Sequence, residues 1–224
     1  MTVTLRALLL GLPVVLFCET GISSAAEFEL SFYAGAQSAS SSSVKGTDPG
    51  GVGNFDFTVD WEGRSGKMPP YYGFRGTWWR SDKLGFGVEF THSKVYADDQ
   101  SKQNNGFSWL EFSDGLNIIT VNVHRRWRLE NRNFVPYISG GLGVAIPHVE
   151  AETSGGKTFG YQLTGPAAQW TAGVLYPLGK KWSIFGEYKG NYSQNKADLD
   201  NGGQLETNIL TNALNIGVSY AFGK

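Results

Sequence analysis

The three histidines are the residues of this 224-residue chain best suited to chemistry near neutral pH. An imidazole can move a proton or bind a metal ion. His92, His148 and Glu150 share the side-chain phase that we expect to face outward, near the same end of two strand-like segments. One intervening strand places the histidine backbones about 10 Å apart, so one metal ion joins them only if the loop bases lean inward. Alternatively, both histidines simply tolerate partial exposure at an interface.

Charged residues also fall in the opposite, inward phase of the strand-like segments. Unpaired charges in such a place would cost several kcal/mol each, so an internal ion-pair network is the first interpretation. A polar catalytic pocket is the second. The residues concerned are Glu29, Arg75, Glu89, His124, Arg126, Glu187 and Lys189.

No familiar enzyme signature occurs in the chain. The sequence has no G-x-G-x-x-G, no P-loop, no H-E-x-x-H and no G-x-S-x-G. Ser93 follows His92 directly, so the two side chains point to opposite faces of a strand. This weakens an interpretation as an acyl hydrolase that uses a histidine and a serine on one strand face.

Eight segments alternate apolar and polar residues over the length of a membrane-spanning strand. They predict an all-β fold, an eight-stranded antiparallel transmembrane up-and-down β-barrel. Its bore is filled by side chains, so we do not expect a solute pore. The segments are 27–38, 70–80, 84–95, 115–127, 134–149, 168–178, 182–192 and 207–222.

The connections between these segments alternate in length, which is typical of bacterial outer-membrane barrels with short periplasmic turns and long extracellular loops. The short connections are 81–83, 128–133 and 179–181, and the long ones are 39–69, 96–114, 150–167 and 193–206. Residues 54–62 also alternate, but a spanning strand there would make the strand number odd. We therefore interpret this segment as a hairpin arm in the first extracellular loop.

Residues 1–26 have the pattern of a secretory signal peptide, with Arg6, an apolar run and a small-x-small site that ends at Ala26. The single cysteine, Cys18, lies within it. We expect residues 27–224 to form the barrel, integral to the outer membrane. The net charge of −1 and the lack of a basic block argue against nucleic-acid binding. The sequence does not fix the oligomeric state, and a monomer is favoured.

Five segments, which span most of the barrel, carry a resemblance to a known family. They are 68–75 (MPPYYGFR), 89–98 (EFTHSKVYAD), 143–150 (GVAIPHVE), 185–189 (FGEYK) and 211–220 (TNALNIGVSY). Together with the length and the leader, they resemble the rhizobial outer-membrane lipid A oxidases. The resemblance implies O2-dependent oxidation of the proximal glucosamine of 1-dephosphorylated lipid A to 2-aminogluconate, with release of hydrogen peroxide.

The resemblance also implies roles for the candidate residues. O2 reacts slowly with closed-shell organic molecules, so a cofactor is expected, and a divalent or redox metal held by histidine and carboxylate is the suspected one. His92, His148 and Glu150 are then the candidates for metal ligand or base. Lys94 and Arg75 are the candidates for binding anionic parts of the substrate.

Two other functions remain open on the sequence. The first is a non-catalytic barrel, either structural or binding something through its long loops. The second is a lipid A acyl hydrolase, which would release a fatty acid. Treatment of 1-dephosphorylated lipid A with the protein under O2 separates all three, because oxidation adds the mass of one oxygen atom.

Overall fold

The computed structural model describes residues 27–130 and 132–222, with the side chain of residue 113 excepted. The predicted leader, residues 1–26, lies outside the described residues. In chain order the elements are β1 (Glu27–Ala39), β2 (Ser42–Asp48), β3 (Gly53–Val59), β4 (Trp61–Glu62), β5 (Tyr72–Trp79), β6 (Leu84–Ala97), α1 (Asp99–Asn104), β7 (Phe107–Arg126), β8 (Val135–Thr153), β9 (Gly156–Tyr161), β10 (Gly165–Pro177), β11 (Trp182–Asp198) and β12 (Gln204–Phe222).

Eight of these strands form one closed antiparallel ring in the order β1, β5, β6, β7, β8, β10, β11 and β12. The ring closes where β12 pairs with β1, with Leu30 opposite Tyr220 and Phe32 opposite Val218. Because β12 pairs with β1, none of the eight described ring strands is an edge strand of an open sheet. The predicted all-β barrel is therefore confirmed, as is its alternation of inward and outward side chains.

The other four strands extend the ring at the end opposite the short turns. The hairpin of β2 and β3 is joined to β12, β4 pairs with β6, and β9 pairs with β8. Residues 54–62 thus contribute a hairpin arm and a short edge pairing and do not span the ring, as predicted. Within the described ranges, no helix has the length and apolarity needed to cross a membrane.

The outward face of the ring carries a belt of exposed apolar side chains. On β1, Phe28, Leu30 and Phe32 are 43%, 47% and 52% exposed, while Glu29 and Ser31 between them are buried. Exposed apolar residues continue around the other ring strands, as on Val88, Val121, Leu142 and Ile216. A continuous apolar belt of this kind is stable only in contact with lipid.

The interior of the ring has two layers. Near the short turns it is polar, and beyond the belt it becomes an apolar core that includes Val95, Phe112, Leu116 and Ile209, each fully buried. The ring strands continue around this core, so β7, β11 and β12 reach well into stretches that we predicted to be loops. The core seals that end of the bore against water.

Candidate functional site

The apolar belt ends on β6 in a group of polar residues on the outward phase. The outward positions of β6 are apolar at Phe86, Val88 and Phe90 and polar at the next two, His92 and Lys94. His92 is 4% exposed, and its ring stacks on Tyr72 at a centroid distance of 5.1 Å. Its Nδ1 lies 2.9 Å from Oδ1 of Asn117. Its Nε2 is buried and has no hydrogen-bond partner among the described residues.

His148 occupies the corresponding outward phase of β8. It is 5% exposed, and the rings of Phe159 and Tyr161 contact it edge-on at centroid distances of 4.4 and 4.8 Å. Its Nδ1 lies 3.9 Å from Oδ2 of Asp114. The hydroxyl of Tyr161 donates to the backbone oxygen of Asp114 at 2.9 Å, which fixes that segment against β9.

Asp114 is brought between the two histidines by an irregularity of β7. The pairing of β6 with β7 shifts between Ser93 and Val95, and the segment around Gly115 loops outward. Gly115 has φ +123°, and a Cβ there would lie 2.6 Å from the His92 ring, so the bare backbone passes over that imidazole. We call His92, Lys94, Asp114 and His148 the rim cluster. Asp114 was not predicted, although the Asp-Gly pair was a turn signal.

Three cations surround one aromatic ring beside the rim cluster. Arg64, Lys67 and Lys94 lie over the ring of Tyr96 at 4.7, 4.6 and 5.6 Å. Lys94 is fully buried, and its Nζ donates to the backbone oxygen of Lys67 at 3.3 Å. Asp114 lies within electrostatic range of Lys94. Arg64 is paired with Glu62 at 2.6 Å, so Lys67 and Lys94 supply the positive charge that can attract an anionic group next to the two imidazoles.

The predicted metal ligands His92, His148 and Glu150 do not assemble into a metal-binding set. His92 on β6 is level with Asn117 on β7, which is level with Ile146 on β8. His148 therefore lies two strands away, with β7 between, and two residues further along. Glu150 is held by Lys157, whose Nζ lies 2.7 Å from its Oε1. Among the residues that the structure describes, no group of three or more His, Cys, Asp or Glu is arranged to hold a metal ion.

Arg75, a candidate for binding anionic parts of the substrate, lies inside the barrel among carboxylates and not at the rim cluster. It is 5% exposed, and its guanidinium lies 2.9 Å from Glu89 and 2.9 Å from Glu187. Lys189 is paired with Glu89 as well. The four charges balance one another, as the ion-pair interpretation of the inward residues predicts.

Three further members of the predicted inward network, Glu29, His124 and Arg126, lie closer to the short turns. Arg126 pairs with Glu27 at 3.4 Å and with Glu29 at 3.7 Å. His124 is 2% exposed, and its Nε2 has no hydrogen-bond partner among the described residues. The inward charges thus form two separate groups where the sequence suggested one.

A closed ring, an apolar outer belt and alternating loop lengths define a transmembrane barrel of the bacterial outer membrane. Residues 14–222 match the family model for the outer membrane protein beta-barrel domain, and the chain belongs to that family. The protein is integral to the outer membrane. No curated protein sequence matches the chain significantly.

Structural comparison finds several solved outer-membrane proteins. Neisserial surface protein A is 15% identical with a TM-score of 0.50, over 89% of this chain and 100% of that one. The N-terminal β-barrel domain of Pseudomonas aeruginosa OprF is 13% identical with a TM-score of 0.43, over 88% and 97%. Outer membrane protein AlkL is 14% identical with a TM-score of 0.49, over 100% and 98%. At these identities the similarity to Neisserial surface protein A shows the fold alone.

Proposed function

We propose that this outer-membrane barrel acts on the head group of an outer-leaflet lipid at the rim cluster. The observation that carries the proposal is the position of His92 and Lys94, directly beyond the lipid-facing residues of β6. A lipid whose acyl chains lie along Phe90 and Val88 would present its head group to these residues. The cations around Tyr96 would attract its negatively charged groups.

We propose further that the lipid is lipid A without its 1-phosphate and that the reaction oxidises its proximal glucosamine. This part rests on the family resemblance of the sequence. An imidazole of His92 or His148 would accept the proton of the anomeric hydroxyl. The carbon at that position loses two electrons to O2, which leaves as hydrogen peroxide. The resulting lactone opens with water to 2-aminogluconate, for a net gain of one oxygen atom.

The candidate ligands His92, His148 and Glu150 do not fit the suspected metal, since Glu150 is paired with Lys157 and the two histidines are separated by β7. No step of the proposed reaction is therefore assigned to a metal ion. The chain's own contribution is to bind the head group, accept the proton and keep water away from the buried His92 ring. We expect it to act as a monomer, with lipid A as its membrane partner.

The test is incubation of the purified, folded protein with 1-dephosphorylated lipid A under O2. We expect the lipid to gain the mass of one oxygen atom and an equal amount of peroxide to appear. His92→Ala or His148→Ala should abolish both signals. Asn208→Ala, an exposed polar change on β12, is the control. Full activity in both histidine variants would refute the assignment.

The same assay distinguishes the other functions. A non-catalytic lipid-binding barrel is favoured by one observation, the cations around Tyr96, which would attract an anionic head group without any chemistry. It would bind the lipid and leave its mass unchanged. An acyl hydrolase would release a fatty acid, but Ser93 is fully buried on the inward phase, away from His92. Added EDTA or Fe²⁺ in parallel samples shows whether turnover depends on a metal.

A further inference from the structure

The polar half of the bore contains a cavity of about 370 Å³ at the end where the short turns lie. Its inner end is closed by Arg75 and Tyr137, which belong to the ion-paired layer at the middle of the barrel. Gly179, Lys180 and Lys181, in the turn between β10 and β11, line its outer end. In an outer-membrane barrel this end faces the periplasm. We call this space the periplasmic cavity.

The periplasmic cavity has an excess of positive charge. Two carboxylates, Glu27 and Glu29, line it together with four cations outside the central layer. Arg126 is paired with both carboxylates, and Arg128 lies 3.7 Å from Glu27 at the border of the cavity. Lys180 and Lys181 have no carboxylate partner among the described residues. Positive charge near a low-dielectric wall concentrates anions at the opening. The four cations are Arg126, Arg128, Lys180 and Lys181.

The wall of the cavity combines apolar surface with an unsatisfied polar atom. Trp79, Val135 and Leu175 supply apolar surface. His124, which is 2% exposed, lines the same space, and its Nε2 has no partner within the described residues. A buried nitrogen without a partner is destabilising unless water or a ligand satisfies it. The cavity volume would hold about ten water molecules at ~30 Å³ each. The same volume lies within the size range of small-molecule binding sites.

We propose that the periplasmic cavity binds a small organic anion, a carboxylate or phosphate monoester with an apolar body, taken up from the periplasm. The anionic group lies at the opening near Lys180 and Lys181, and the apolar body lies against Trp79 and Leu175. The bound molecule goes no further, because the paired Arg75 layer and the apolar core lie beyond. This site is independent of the rim cluster, which is on the outer face of the opposite end.

The test is isothermal titration of the full folded protein in neutral detergent with phenyl phosphate, benzoate and inorganic phosphate. We expect phenyl phosphate or benzoate to bind, and inorganic phosphate to bind at least about tenfold more weakly because it has no apolar body. The double variant Lys180→Gln and Lys181→Gln should weaken binding about fivefold through lost attraction. Ser183→Glu, which adds a negative charge to the lining, should abolish it.

The matched control is Lys45→Gln with Lys196→Gln, an equal loss of charge on the extracellular extensions, where both lysines face Glu206. Its affinity should equal that of the unchanged protein. Absence of heat with all three anions at millimolar concentration would overturn the proposal. So would equal binding of the three anions, or an unchanged affinity in the Lys180 and Lys181 variant, which would indicate general attraction to the protein surface. Ser183→Glu is not required for this decision if it fails to fold.

Discussion

Oδ2 of Asp114 lies 3.9 Å from Nδ1 of His148, although the two residues belong to different strands and Asp114 lies in an irregular part of β7. The distance is an ion-pair contact when the imidazole is protonated. In the proposed reaction this carboxylate would stabilise the imidazolium formed if His148 accepts the proton. The Tyr161 hydroxyl donates to the backbone oxygen of Asp114, so the backbone that carries this carboxylate is fixed.

Asp114→Asn should lower kcat for the proposed lipid oxidation by about 10- to 100-fold, because the amide cannot balance the charge that develops on the imidazole. KM should change little, since the cations around Tyr96 remain. Steady-state peroxide formation with 1-dephosphorylated lipid A measures both constants. Asp99→Asn, an exposed change on α1, is the control. A rise in KM with normal kcat would assign Asp114 to substrate binding instead.

The barrel itself was predictable because lipid and lumen impose opposite preferences on alternate residues. The alternation of Phe28, Leu30 and Phe32 with Glu29 and Ser31 gives the outer and inner faces of β1 directly. The alternating lengths of the connections then give the strand number. Each of these signals is local in sequence and needs no knowledge of the partner strand.

The strand ends and the rim cluster were not predictable in the same way. Beyond the membrane the inward residues are apolar and many outward ones are polar, so residues 107–114 of β7 lacked the pattern of a membrane-spanning strand and were predicted as part of a loop. The position of Asp114 depends on a shift of the strand pairing near Gly115. The pairing register depends on both strands, so the sequence of one strand does not determine it. Arg75 was predicted both in the inward network and as a candidate for binding anionic parts of the substrate. Its pairing with Glu187 could not be predicted, because that residue is distant in sequence.

Glu89→Gln should destabilise the barrel by about 3–5 kcal/mol, because it leaves buried positive charge without its partner. The Glu89 carboxylate accepts hydrogen bonds from Tyr33, Arg75, Gln169 and Lys189. Urea unfolding of the protein in lipid vesicles, followed by tryptophan fluorescence, gives the free energy of unfolding.

The control for Glu89 is Glu206→Gln, which breaks an exposed pair with Lys196 on the extracellular extension. An exposed pair contributes little, so this variant should unfold like the unchanged protein. Equal unfolding of the Glu89 and Glu206 variants would show that the central layer is not a stabilising network.

Gly85→Ala should destabilise the barrel by about 1–3 kcal/mol through overpacking. A Cβ at this position would lie 2.8 Å from Cε3 of Trp79. The Trp79 ring cannot easily move away, because the Arg126 guanidinium lies over it, 3.7 Å from the ring centroid. Gly179→Ala is the matched control, because a Cβ added there would have no neighbouring atom within 4 Å. The same urea titration compares them, and equal stability would mean that Trp79 moves freely.

The Asp48 carboxylate connects three extracellular segments and should release them in acid. It accepts hydrogen bonds from the Thr153 hydroxyl at 2.5 Å, the Val52 N–H at 3.1 Å and the Asn201 amide. Burial alone would raise the pKa of Asp48, but these hydrogen bonds outweigh it and hold the pKa below its ordinary value of 3.8. The ionised Asp48 carboxylate therefore stabilises the contact between these segments above pH 3.8, and this stabilisation is lost as the pH falls through the lowered pKa.

Amide hydrogen exchange, corrected for its intrinsic pH dependence, should rise about tenfold in residues 48–53 and 199–203 in acid. Asp48→Ala should show the fast exchange at neutral pH, whereas Asp56→Ala, which loses only an exposed bond from Ser43, should not. Slow exchange in Asp48→Ala at neutral pH would mean that the strands hold these segments without the carboxylate.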